Sequence, residues 1–119
     1  MAGKPVHVEI PAPDAAKSSE FWGALFGWQF QGFEGAPSPY LMTRFSEDSG
    51  GAIYEDASAR GMRVYFDVDD IDAGAGKVRE LGGEAGEKMP VPSMGWFAHC
   101  TDPSGNEFGL WQNDTSAAM

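Results

Sequence analysis

Two histidines, His7 and His99, are the groups in this 119-residue chain whose ordinary titration falls near neutral pH. His7 stands in PVHVEI, two residues before Glu9, and His99 stands in GWFAHC, just before the single cysteine, Cys100. An imidazole backed by a carboxylate is a general base. A guanidinium, here Arg63 in MRVYFDV, can hold the enolate or carboxylate that such a base produces. His7, Glu9 and Arg63 are therefore the candidate catalytic groups. Tyr65, Asp67, Phe97, His99, Glu107 and Trp111 are candidates for contacting a ligand.

The elements that position these groups follow from the hydrophobic pattern. Val6, Val8 and Ile10 alternate with His7 and Glu9, a strand with one apolar face, so the two polar groups share the other. The same rule in MRVYFDV (62–68) turns Val64 and Phe66 inward and leaves Arg63, Tyr65 and Asp67 together. After the first strand, PAPD breaks the pattern and offers Asp14 as a helix cap. AAKSSEFWGALFG then reads as a helix ending at Gly27, with Phe21 and Leu25, and Trp22 and Phe26, four residues apart. Strand-like stretches follow at 28–33, 40–45 and 50–54.

The second half repeats this order. After the strand at 62–68, Asp70 caps a helix whose apolar stripe is Ile71, Ala75, Val78 and Leu81, and Gly82 and Gly83 stop it. Strands are expected at 84–89, 95–100 and 106–112, with DPSGN as the last turn. The fold class is α+β: two βαβββ modules (about 5–54 and 62–112, linker 55–61) forming an open, barrel-like curved sheet with the helices outside. The tail 113–119 is expected to fray. If the strands flanking DPSGN pair with His99 opposite Gly109, then Phe97 and His99 join the concave face.

Composition narrows the function. A net charge of −10, with only 8 Lys and Arg that do not cluster, argues against nucleic acid. It is compatible with drawing a cationic ligand into a cleft. One cysteine excludes an internal disulfide and any multi-cysteine metal site. The chain shows no apolar run of membrane length and no signal-like start, so a cytoplasmic protein is expected. Cys100 reads as a small buried hydrophobe. Gly74-Ala75-Gly76-Lys77 is no phosphate loop, because its leading glycine is missing and Val78 replaces Ser or Thr.

HVEIPAPD…FWGALFGW, VYFDVDDIDA…KVRELGGE and FAHCTDPSGNEFGLWQ together cover nearly the whole chain. In these pieces it resembles the vicinal oxygen chelate superfamily, which includes glyoxalase I, bleomycin-resistance proteins and extradiol dioxygenases. The resemblance implies four metal-ligand positions, two per module. They fall at His7, near Gly51 (to within about one residue), at Arg63 and at Gly109. Only His7 can bind a divalent ion, and Arg63 would place a fixed positive charge where the ion belongs. No metal and no cofactor is therefore expected.

Two functions stay open. One is a binding protein that holds a small molecule, such as a cationic natural product, without chemistry. The alternative is a metal-independent isomerase, epimerase or cyclase with His7 as general base and Arg63 stabilising negative charge. A rearranged metal site on His7, Glu9 and Glu107, serving a lyase or dioxygenase, is a third. An ion pair of Arg63 with Glu9 or Asp67 is the structural alternative to a catalytic role. The resemblance also implies a homodimer, with Phe21, Trp22 and Phe26 expected in the core or at a subunit interface.

Overall fold

The computed structural model describes residues 3–33, 38–58 and 61–118. The chain divides into two units. One is Val6–Arg63, and the other joins Met1–Pro5 to Val64–Met119. No helix among the described residues is long and apolar enough to cross a membrane.

The first unit contains β1 (Pro5–Ala12), α1 (Ala15–Phe26), β2 (Gln31–Gly32), β3 (Tyr40–Arg44) and β4 (Gly50–Glu55). Its strands lie in the order β2-β3-β4-β1, with β4 parallel to β1 and antiparallel to β3. Asp14 caps α1 through the Lys17 amide, and Gly27 ends it in the left-handed conformation (φ 74°) that a Cβ would disfavour. Ile10, Ala12, Ala15 and Ile53 form the buried core, flanked by Val8, Trp22, Trp28, Phe30 and Leu41. The apolar side of β1 thus packs under α1, as the alternation requires.

The second unit contains β5 (Arg63–Asp67), α2 (Ile71–Glu80), β6 (Glu84–Ala85), β7 (Met89–Val91), β8 (Gly95–Thr101) and β9 (Glu107–Asn113). The order is β5-β9-β8-β6, with β7 also pairing to β8. Asp70 caps α2 through the amides of Asp72 and Ala73. Ile71, Ala98, Cys100 and Leu110 make the core, so Cys100 is buried as expected, and burial raises its thiol pKa. The DPSGN turn is built by Asp102. Its carboxylate accepts from the amides of Ser104 and Asn106 and from the Asn106 side chain, each at 2.9 Å, while Gly105 takes φ 89°. That closure sets the β8–β9 register.

Each half is therefore a βαβββ unit, and the α+β class holds. Three local expectations do not. The strand at 84–89 is two short pieces, β6 and β7, because the register sets three residues, 86–88, opposite two on β8, 98–99, a bulge across which the Gly86 amide still bonds to the His99 carbonyl. Leu81 is 66% exposed, since α2 ends at Glu80 and Gly82 turns left-handed immediately after it. Phe21 and Phe26 are 61% and 56% exposed, outside this chain's own core, which leaves the subunit-interface half of their expectation. Residues 114–118 are docked rather than frayed. Asp114 accepts the Trp96 indole N–H at 3.0 Å, Ala117 is buried, and its carbonyl takes the Ser93 amide.

Candidate functional site

In the first unit the face of β1 away from α1 holds His7 and Glu9. Strand periodicity puts their Cα atoms about 6.7 Å apart. A residue absent from the sequence expectation fills the gap. The hydroxyl of Tyr40, from β3, lies 2.9 Å from His7 Nε2 and 3.0 Å from Glu9 Oε2. The other Glu9 oxygen accepts from Arg63 Nη1 at 3.3 Å. The Arg63 charge also acts on the Tyr54 hydroxyl from β4. His7, Tyr40, Glu9 and Arg63 form one hydrogen-bonded chain.

Burial sets the electrostatics of that chain. Desolvation lowers the His7 pKa from its usual 6.5, against the opposing pull of Glu9, so the ring is neutral at pH 7. Burial raises the pKa of Tyr54, with Arg63 opposing. Of the two partners proposed from sequence for Arg63, Glu9 is one it takes.

In the second unit the faces follow the ladder. His99 lies opposite Gly109 and Phe97 opposite Trp111 on β8–β9, while Tyr65 and Asp67 pair with Gly109 and Trp111 from β5. The pairing on which the placement of Phe97 and His99 depended is the one present. Tyr65 is buried, and its hydroxyl lies 2.8 Å from Nε2 of exposed His99. Phe97 lies 5.3 Å from His99 with the rings tilted by 41°, and meets Tyr65 edge-on at 6.4 Å. Trp111 donates its indole N–H to Asn113 at 2.8 Å. Asp67 bonds through its backbone to Gly3 and Lys4, and exposed Glu107 pairs with Thr101 across the ladder.

A groove of about 400 Å³ lies on the other side of this sheet, between α2 and β6–β8, and includes none of these residues. Two of its charges answer each other. Lys88 pairs with Asp72 at 2.9 Å and lies 4.6 Å over the Trp96 ring, while Arg79 bonds to the Ala85 carbonyl. The site residues expected from sequence lie instead in the hydrogen-bonded chain and on the aromatic face.

The residues do not suit the divalent ion that the resemblance implies. Register narrows the position placed within about one residue of Gly51. Gly51 pairs with Val8 on the helix side, and Gly50 and Ala52 flank His7 and Glu9 on theirs. Neither carries a donor. At Arg63 the guanidinium is bound to Glu9, and at Gly109 the space is filled by the ring of Tyr65. Among the described residues no three His, Cys, Asp or Glu side chains are placed to share an ion.

Tyr40 was missed from sequence because it lies on β3, and only the pairing of β3 with β4 and of β4 with β1 brings it to His7. The available signal was the alternation of Tyr40, Met42 and Arg44 in YLMTRF.

A family model described as a glyoxalase-like domain matches residues 7–111. The protein named "Putative glyoxylase CFP32" of Mycobacterium tuberculosis (strain CDC 1551 / Oshkosh) is 32% identical, over 92% of this chain and 46% of its own length. The anthracycline biosynthesis protein DnrV of Streptomyces peucetius is 28% identical, over 92% of this chain and 47% of its own. The chain thus spans about half the length of these curated relatives. A Streptomyces coelicolor methylmalonyl-CoA epimerase variant, solved with 2-nitronate-propionyl-CoA, superposes with a TM-score of 0.72 over the whole of both chains at 17% identity, a likeness of fold. The chain belongs to the glyoxalase-like domain family.

Proposed function

We propose that this chain binds a small organic molecule and moves a proton on it with His7 as the base, without a divalent ion. The observation behind this is the chain His7–Tyr40–Glu9–Arg63, in which a neutral imidazole is backed through one hydroxyl by the carboxyl group that pairs with Arg63. A base that is uncharged at pH 7 and held in one orientation is what proton abstraction next to a carbonyl needs. The direct test is solvent deuterium uptake at the carbon beside the carbonyl, measured by mass spectrometry. The panel would comprise acyl-CoA thioesters, methylmalonyl-CoA among them, and 2-oxo acids. Uptake that survives a chelator and vanishes in His7→Ala is expected. Uptake abolished by the chelator, or unchanged in His7→Ala, overturns the reading.

A second reading, binding without chemistry, is favoured by the aromatic face of Tyr65, Phe97 and His99 with Trp111 alongside, and by the net charge of −10. The Streptomyces peucetius relative is named for anthracycline biosynthesis, which makes a fused aromatic cation a suitable probe. Quenching of anthracycline fluorescence, weakened in Trp111→Ala, is the expected result. No binding at millimolar protein removes this reading.

A second copy of this chain is the partner that suits α1. Phe21, Leu25 and Phe26 stand exposed around Trp22, and residues 21–33 carry no charge in an otherwise acidic chain. Those three side chains offer on the order of 300–400 Å², about half of what each partner buries in a stable dimer. An isologous contact would set the uncharged stretches against each other. Light scattering should report a dimer that Leu25→Asp converts to monomer. A 12.8 kDa species alone removes the proposal.

A further inference from the structure

The groove between α2 and β6–β8 belongs wholly to the second unit and shares no residue with the aromatic face. Its volume, about 400 Å³, falls within the range of small-molecule pockets. Four charged side chains line it: Asp72 and Arg79 from α2, and Glu87 and Lys88 from the segment joining β6 to β7. Ile71, Ala75 and Trp96 supply the apolar part. Asp72, Ala75 and Arg79 follow at spacings of three and four residues, so one face of α2 runs along the groove. The carboxylate stands near the start of that helix and the guanidinium near its end.

Lys88 and Asp72 neutralise each other at 2.9 Å, and the same ammonium caps the Trp96 ring at 4.6 Å. The other two charges are not served in this way. Among the described residues Arg79 makes one hydrogen bond, to the Ala85 carbonyl at 3.1 Å, and forms no ion pair. A guanidinium has five N–H donors, so most of its capacity is unspent. Glu87 likewise pairs with no cation among the described residues. The Ala85 carbonyl anchors the Arg79 guanidinium within two residues of Glu87. Opposite charges thus line one end of the groove without meeting.

A purely anionic ligand would satisfy Arg79 and meet Glu87 as a like charge, and a purely cationic one would do the reverse. A ligand carrying both signs on neighbouring atoms satisfies both. We propose that this groove binds a free α-amino acid. Its carboxylate lies on the Arg79 guanidinium, which suits that planar group, and its ammonium lies on Glu87. An apolar side chain rests against Trp96 and the methylenes of Lys88. Trp96 is held for this contact, because its indole N–H is tied to Asp114 at 3.0 Å. The site uses none of the residues of the proton-transfer reading.

Arg79 and Glu87 are exposed, so the affinity expected is millimolar. The test is a titration of the whole chain with L-leucine, followed in ¹⁵N–¹H correlation spectra. Saturable shifts are expected at the Gly86 amide and the Trp96 indole N–H. Leucinamide, which lacks the carboxylate, and isocaproate, which lacks the ammonium, should each bind about fivefold more weakly, the upper scale of an exposed ion pair. Glu87→Gln and Arg79→Gln should each weaken leucine by a similar factor. Glu87→Gln disturbs no contact, so it decides the matter if Arg79→Gln loses its fold. No saturable shift at tens of millimolar leucine would overturn the proposal. So would equal binding of either analogue, unchanged binding in Glu87→Gln, or shifts confined to residues outside the groove.

Discussion

The ring of Tyr65 lies directly against the Cα of Gly109, so close that a Cβ at residue 109 would overlap three of its carbons. Each residue therefore requires the other. The glycine admits the ring, and the ring occupies what a longer side chain at 109 would need. Gly109→Ala is expected to destabilise the chain by about 1–3 kcal/mol, the usual cost of overpacking. The penalty should largely disappear when Tyr65→Ala is added, since the two sites are in contact and couple. Urea midpoints of the four species check this, and an additive cycle would show that ring and backbone do not compete.

Acidification should weaken the fold through His7. Its pKa is lowered on folding, chiefly by burial, so the unfolded chain takes up the proton first. Stability is then complete above pH 6.5, the ordinary value, and declines as pH falls below it toward the lowered folded value. The charged and titratable groups around the ring, Glu9, Arg63 and Tyr40, stay as they are in His7→Gln. That variant should therefore show a flatter dependence of denaturation midpoint on pH between about 7 and 5. An unchanged slope would assign the acid sensitivity elsewhere.

Ile53 is wholly buried in the core beneath α1. Ile53→Ala should cost about 2–5 kcal/mol, the range for deleting a buried branched side chain. Thermal or urea unfolding measures it, and a loss under 1 kcal/mol would mean that the site collapses around the smaller residue.

Protein purified without chelator is expected to hold no stoichiometric divalent ion. Gly50, Ala52 and Gly109 offer no donor, and Arg63 is bound to Glu9. Elemental analysis checks this. One ion per chain would require Glu9 to leave Arg63.

Much of the scaffold was legible because its signals are local. Alternation in PVHVEI separated His7 and Glu9 from Val8 and Ile10. Asp14 and Asp70 announced both helices, and DPSGN announced the turn whose closure pairs His99 with Gly109. The hydrogen-bonded chain was not legible, because Tyr40 meets His7 only through β3, β4 and β1, a pairing across 33 residues that no window contains. The short end of α2 was missed for the opposite reason. Leu81 continues the apolar stripe, yet the left-handed Gly82 ends the helix first. The tail was taken for a loose end, but Asp114 finds an indole N–H that sequence proximity could not reveal.

The tryptophans divide evenly between the two units, and this gives the molecule two optical reporters. Trp22 and Trp28 stack nearly parallel in the first unit, with ring centres 5.5 Å apart and planes inclined by 10°. Indoles that close couple their transitions and should give a paired near-ultraviolet circular-dichroism band. Trp96 and Trp111, in the second unit, are each tied by the indole N–H to an oxygen and should emit as separate fluorophores. Loss of the paired band and the shift of emission can therefore be followed in one melt. Coincident transitions would mean that the duplicated halves unfold as one cooperative body, and separated ones that each keeps its own melting point.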